Sequence, residues 1–124
     1  PVYYIQYAHA RIANVFRRLN DQQQVWNHRL TAWQRLDTAQ EQALLVTLAR
    51  YPEVIESAAQ TYEPHQLTYY LREVAQQFHV CYDAHKILVE DEELRNARLS
   101  LSAATQQVLR NGLSIIGVSA PEVM

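Results

Sequence analysis

An all-α, antiparallel bundle of about five helices is the fold class this sequence predicts. Three observations carry that prediction. Only two of the 124 residues are glycine, too few for a turn-rich β-protein. Ala, Leu, Gln, Arg and Glu, all good helix formers, are abundant. Apolar residues recur three and four positions apart in long runs that prolines punctuate. With 48% hydrophobic residues the chain is not disordered, and by length it is one domain with a core of its own.

The first helix is expected from about Val2 to Leu19, with Asn20-Asp21 as its stop. Ile5, Ala8, Ile12, Val15 and Leu19 form its apolar face. Tyr4, Tyr7 and Arg11 repeat the same spacing one residue out of step and make a second stripe along the edge of that face. Such a stripe has two readings. Its rings belong to the core with their hydroxyls reaching water. Alternatively, two rings and a guanidinium form a platform on which a flat polar group such as a base stacks. Residues 21–36 also have two readings: Trp26, Leu30 and Trp33 suit a short amphipathic helix, or a structured excursion that packs its tryptophans on the bundle.

Asp37 with Gln40 resembles a capping box and opens a second helix, Thr38 to Arg50. Tyr51-Pro52 breaks it and starts a third, since proline is tolerated in a first turn. Glu63-Pro64 repeats the device and opens a long fourth helix to about Val89, with Leu67, Leu71, Val74, Phe78, Tyr82 and Val89 as its core face. The acidic run from Glu90 to Glu93 marks a boundary or a first turn. A fifth helix follows with Leu94, Ala97, Leu101, Ala104, Val108 and Ile115 inward. Gly112 marks a close approach of a neighbouring backbone, and Gly117 a left-handed cap.

Charge is unevenly spread. Residues 1–36 set Arg11, Arg17, Arg18, Arg29 and Arg35 against Asp21, and residues 94–124 set Arg95, Arg98 and Arg110 against Glu122. Residues 37–93 are strongly acidic, so the net charge is only -2. An anionic partner is therefore expected to meet the two ends of the chain. No apolar run approaches the roughly 20 residues of a membrane span, and no signal peptide opens the chain. Cys81, the single cysteine, excludes an internal disulfide and suits a reducing, cytoplasmic compartment. Pro1 stands where a start methionine would, so we expect a piece of something longer.

No catalytic chemistry is legible. There is no glycine-rich phosphate loop, and no two histidines lie four apart on one helix, so neither a nucleotide nor a metal site is expected. His79 and Cys81 near Tyr82 do not make a nucleophile and base, because adjacent helical positions face different ways.

PVYYIQYAHARI closely resembles the opening of the C-terminal anticodon-binding domain of arginyl-tRNA synthetases, the DALR-type bundle of these class I enzymes. PEVIESAAQTYEPHQLTYYLREVAQQFHVCYD looks like that family's middle helices. DEELRNARLSL, then QQVLRNGLSIIGVSAPEVM, looks like its last helix and tail. The resemblance covers residues 1–124 as one such domain and leaves residues 21–36 as a variable insert.

The resemblance implies that the bundle grips the anticodon stem and loop of the tRNA for arginine. A separate catalytic domain with a HIGH-type signature, absent here, would use ATP and Mg to join arginine to the tRNA. The fragment alone is then catalytically silent and holds no cofactor. Matched position by position, the anticodon contacts fall on Tyr4, Tyr7 and Tyr82, with Arg11 closing the YAHAR motif and Met124 as the closing methionine. Lys86, one turn after Tyr82, falls where other members place an aromatic or basic residue. Arg17, Arg18, Arg98 and Arg110 are candidates for phosphate contacts. Three positions depart from the family pattern. Val123 stands where arginine is usual, and Cys81 and Asp83 flank Tyr82 where Phe and Asn are common. The competing readings are the anticodon bundle of another class I synthetase, and a protein-interaction bundle that docks a partner helix on the tyrosine stripe.

Overall fold

A computed structural model describes residues 2–30 and 32–124. Five α-helices follow one another: α1 (Val2–Asp21), α2 (Ala39–Ala49), α3 (Tyr51–Thr61), α4 (Pro64–Ala84) and α5 (Glu92–Ile115). A 3-10 turn at Trp33–Arg35 interrupts the α1–α2 connection, and no strand occurs among the described residues. The all-α prediction holds.

The bundle is organised around α4, which packs on all four other helices. Leu67, Leu71, Val74 and Phe78 form its buried stripe, while Tyr82 is only half-buried. The expected face of α1 is buried in full, Ile5, Ala8, Ile12, Val15 and Leu19 included. Cross-helix contacts give the directions. His9 of α1 meets Arg110, Leu71 of α4 faces Gly112, and Gln40 near the start of α2 meets His85 just past α4. α5 therefore runs antiparallel to α1 and α4, and α2 antiparallel to α4.

Gly112 lies at a close approach on the inner face, but what meets it is the Leu71 side chain and not the expected neighbouring backbone. A Cβ there would lie 2.5 Å from Cδ2 of Leu71, so the missing side chain lets α4 and α5 close on each other. At the far end of α5, Gly117 adopts φ 78°. The Val118 N–H donates to Leu113 O and the Gly117 N–H to Ser114 O, the paired bonds of a Schellman cap.

Three expectations need correction, and one open alternative is settled. The capping box of α2 is Thr38 with Glu41, one residue beyond the predicted Asp37 and Gln40. Thr38 takes the extended cap conformation and its hydroxyl accepts from the Glu41 N–H, whereas Asp37 is exposed. Second, α4 stops at Ala84 rather than Val89. His85 turns extended, with Nε2 bonded to Gln40, and the apolar residues beyond it fold inward as a loop that buries Ile87. Third, Ile115 is exposed, and Leu99, Leu109 and Leu113 are the larger core residues of α5. That helix is gripped from several sides by α1, α2 and α4, so its buried face is wider than one stripe and includes Ser100, Ser102 and Thr105.

Of the two readings of residues 21–36, the described residues after α1 follow the structured excursion and not the amphipathic α-helix. Trp26 Nε1 donates to Ser100 Oγ at 2.9 Å, and its ring meets Phe16 edge-on. Asn96 clips the same segment through the main chain of Asn27 and Leu30. Arg35 pins the far end to Asp91 and Glu93. Trp33 and Leu30 remain largely exposed.

One buried ion pair crosses the bundle. Glu41 Oε2 accepts from Arg98 Nε at 2.9 Å, with side-chain exposures of 1% and 12%. Arg98 Nη1 also donates to the Lys86 carbonyl.

Two stability outcomes follow. Removing only Arg98, as in Arg98→Leu, strands a buried carboxylate and should cost about 3–5 kcal/mol. The double variant with Glu41→Leu should recover most of that loss in urea unfolding. Gln23 sits at φ 56° in the cap that ends α1 without being glycine. Gln23→Gly should therefore stabilise by about 0.5–1 kcal/mol and raise Tm by a few degrees in calorimetry.

Candidate nucleic-acid interface

Along one edge of the bundle, α1 and the last turns of α4 bring together residues distant in sequence. Tyr4 and Tyr7 are 38% and 40% exposed, so their rings face outward together and are not sealed in the core. Against them stands His79 of α4, whose ring centre is 5.0 Å from that of Tyr4 and 5.5 Å from that of Tyr7. Arg11 completes the cluster. Its guanidinium carbon sits 4.0 Å from the centre of the Tyr82 ring and 5.4 Å from that of Tyr7, and Nη1 lies 2.9 Å from His79 Nδ1.

A cation over an aromatic face is worth about 0.5–2 kcal/mol, more as water is excluded. Here the guanidinium is half-buried, so this contact holds Arg11 more firmly than its partner charge does. Asp83 Oδ1 is 3.9 Å away and 73% exposed, a distance and exposure at which an ion pair contributes little. Arg18 reaches the same ring from the other side, with Nη2 donating to the Tyr82 hydroxyl at 3.5 Å.

Beside this cluster, the C-terminal tail is strapped along α1. Gln6 Nε2 donates to Ser119 O, His9 Nδ1 to Pro121 O at 2.8 Å, and Arg17 Nη1 to Glu122 O. His9 is fully buried, and its Nε2 accepts from Arg110 Nε at 3.3 Å. Burial, ahead of every other influence, lowers the His9 pKa below its ordinary value; the Pro121 bond opposes the shift and Arg110 adds to it.

Of the residues singled out in the sequence, Tyr4, Tyr7, Arg11 and Tyr82 meet in one place. Arg18 borders them. Arg17 and Arg110 sit at the tail strap. Met124, half exposed, lies two residues beyond the last strap bond. Lys86 is exposed in the α4–α5 connection, so it is not one helical turn beyond Tyr82. Arg98 is committed to Glu41 and the Lys86 carbonyl, which makes its role structural.

His79 is the residue that sequence reasoning passed over. Its position three before Tyr82 and four before Asp83 puts all three on one helical face, and that spacing was the available signal. Its pKa is also lowered, by burial first and by Arg11 second, with Asp83 opposing.

The fold and this edge together define a class, a helical bundle presenting clamped aromatic rings and arginines beside a strapped tail. Comparison with known proteins gives the particular family. The sequence profile of the DALR anticodon binding domain matches residues 5–124. The arginine–tRNA ligase of Coxiella burnetii strain CbuK_Q154 is 55% identical over 126 residues, covering 100% of this chain and 21% of the relative. That of Halorhodospira halophila is 54% identical over 128 residues, covering 100% of this chain and 22% of the relative. The solved arginyl-tRNA synthetase of Thermus thermophilus superposes with a TM-score of 0.83 at 34% identity, covering 98% of this chain and 21% of that one. This chain belongs to the DALR anticodon-binding domain family, and it spans 21–22% of the length of those curated relatives.

The two buried histidines set a pH dependence. A histidine whose folded pKa lies below its unfolded value binds protons more readily when unfolded. The fold therefore keeps its full stability above about pH 6.5 and loses it as pH falls from there towards the folded values. Asp91, whose pKa its bonds with Arg35 lower, stays charged throughout that range. The unfolding free energy from urea titrations should drop between about pH 7.5 and 5.5, by at most about 1.4 kcal/mol per histidine, with a matching fall in the urea midpoint. An unchanged midpoint would contradict this.

Proposed function

We propose that this chain binds the anticodon stem and loop of the tRNA for arginine, as the C-terminal part of an arginine–tRNA ligase working in the cytoplasm. The observation that carries the reading is the exposed edge of Tyr4, Tyr7, Arg11 and Tyr82 on a chain so similar to curated arginine–tRNA ligases. Loop bases splay out and stack on aromatic and guanidinium surfaces, which is what this edge offers. Val123 gives the end of the tail no positive charge, so apolar contact from Met124 suits it better than phosphate binding.

Aminoacylation itself is assigned to another part of the longer protein, with ATP and Mg bound there. No group of three or more His, Cys, Asp or Glu able to hold a metal ion occurs among the described residues. Arg18 and Arg110, both exposed, with Arg17 beside the tail, support the phosphate-contact part of the reading.

Tyr7→Ala should weaken binding of the arginine tRNA anticodon stem–loop by about 5- to 150-fold while leaving the domain folded. Equal affinity for a folded variant in a fluorescence titration overturns the proposal. With three phosphate contacts, wild-type affinity should fall about twentyfold between roughly 50 and 200 mM salt. An affinity that ignores salt would instead favour a protein partner docked on the tyrosine stripe.

A further inference from the structure

His79 is 8% exposed, yet its ring carries an unsatisfied group: Nε2 is buried and has no hydrogen-bond partner. The protonation pattern follows from its neighbour. A guanidinium has donors only, so His79 Nδ1 must be the acceptor for Arg11 Nη1 at 2.9 Å. The ring proton then sits on Nε2, where a buried donor without an acceptor is unfavourable. A phenyl ring of similar size would pack against Tyr4, Tyr7 and Phe78 without that cost. What the imidazole supplies and a phenyl cannot is the Nδ1 lone pair that receives Arg11.

We propose that His79 is the positioning residue of the RNA-binding edge, its neutral imidazole holding the Arg11 guanidinium across the Tyr82 ring and releasing it when protonated. This rests on the anticodon reading above. Protonation replaces the acceptor by an N–H that points at another N–H, and places two positive charges at hydrogen-bond distance. From α1 the ring is faced by Tyr4, Tyr7 and the positive Arg11, and on α4 by Phe78. Asp83 opposes from the same helix, but it is mostly exposed and already 3.9 Å from the same guanidinium. The next charges inward, Glu41 and Arg98 behind Cys81, neutralise each other. The exposed Asp83 compensates a second positive charge there only weakly, so Arg11 leaves and the platform loses one wall. RNA affinity then depends on the state of a residue that never touches the RNA.

The test compares wild type with His79→Asn and His79→Phe. Asparagine places Oδ1 where Nδ1 stood and keeps an acceptor that does not titrate, and phenylalanine keeps the packing without the acceptor. In titrations with the arginine tRNA anticodon stem–loop, His79→Asn should bind within about threefold of wild type near pH 7.5. Wild type should then lose affinity relative to His79→Asn on going to about pH 5.5, by at most about tenfold because the His79 pKa lies below its ordinary value. His79→Phe should be about tenfold weaker at both values. Superimposable pH profiles for wild type and His79→Asn, or a folded His79→Phe that binds like wild type, overturn the proposal.

A second measurement needs no RNA. In nitrogen-15 NMR of the free wild-type chain, the Arg11 guanidinium signals should follow the titration of the His79 imidazole, with Nδ1 bare at neutral pH. Arg11 signals that ignore that titration overturn the lock. If wild type fails to bind the stem–loop, the anticodon reading falls, and the NMR result alone decides whether the lock stands.

Discussion

The buried pair between Glu41 and Arg98 is the constraint on which the working end of this bundle depends. Glu41 closes the capping box of α2 with one oxygen and takes Arg98 Nε with the other, so a single carboxylate serves a helix N-terminus and a cation from α5. Arg98 then spends Nη1 on the Lys86 carbonyl, in the chain just after α4. Three elements are registered at one point. That registration is why α4 turns out at His85 and does not run on, and why its last turn, with His79, Tyr82 and Asp83, is presented at a fixed height against α1. Buried pairs often fail to stabilise a fold relative to a well-packed apolar substitute. The value of this one lies in geometry, since an apolar substitute would leave the Lys86 carbonyl without its donor and the Thr38 cap of α2 without its acceptor.

A second theme is that arginines set the state of buried histidines on both flanks of α1. Arg110 donates to Nε2 of His9, whose Nδ1–H is then aimed at Pro121 O. Arg11 donates to Nδ1 of His79, which moves the proton to Nε2. The tautomers are opposite and the logic is the same, because a guanidinium always donates and its neighbour must accept. One histidine holds the tail and the other holds the platform. α1 thus separates two polar seams with a single apolar face between them, and the seam that anchors the tail runs beside the seam that presents the rings.

How much of this was legible in the sequence depended on whether a feature was local. The apolar stripe of α1, the proline starts of α3 and α4, and the Gly117 cap all rest on residues within a turn of one another, and each is found where the spacing puts it. The left-handed caps that end α1 and α3 were invisible because Gln23 and Tyr62 occupy them, and neither residue announces a positive φ. The end of α4 was hidden for a different reason. No glycine or proline lies between Ala84 and Glu90, and the apolar residues after His85 continue a plausible helical face while in fact folding back over the core. Arg98 looked like a surface cation because its partner is 57 residues away. The stripe of Tyr4, Tyr7 and Arg11 was readable as a pattern, but its outward aim and its collaboration with His79 depend on how α1 and α4 cross, which no local spacing encodes.

The same non-local pairing resolves the awkward net charge of -2 in a chain read as an RNA binder. Arginines cannot be counted from the sequence as though all were available. Arg35 is taken by Asp91 and Glu93, Arg50 by Glu73, and Arg98 by Glu41, so these cations cancel acids within the fold. Arg11, Arg17, Arg18 and Arg110 are bonded to histidine nitrogen, phenol or carbonyl and amide oxygen, none of which removes their charge. All four lie on α1 or against it. The field that an approaching phosphate meets on that side is therefore positive even though the molecule is not, and within a Debye length of about 8–10 Å the local balance outweighs the total. With so few uncancelled cations, long-range attraction is modest, and on the proposed reading the larger share of RNA affinity would fall to stacking on Tyr4, Tyr7 and Tyr82. That division makes the exact pose of Arg11, which both carries charge and walls the stack, the most sensitive feature of the edge.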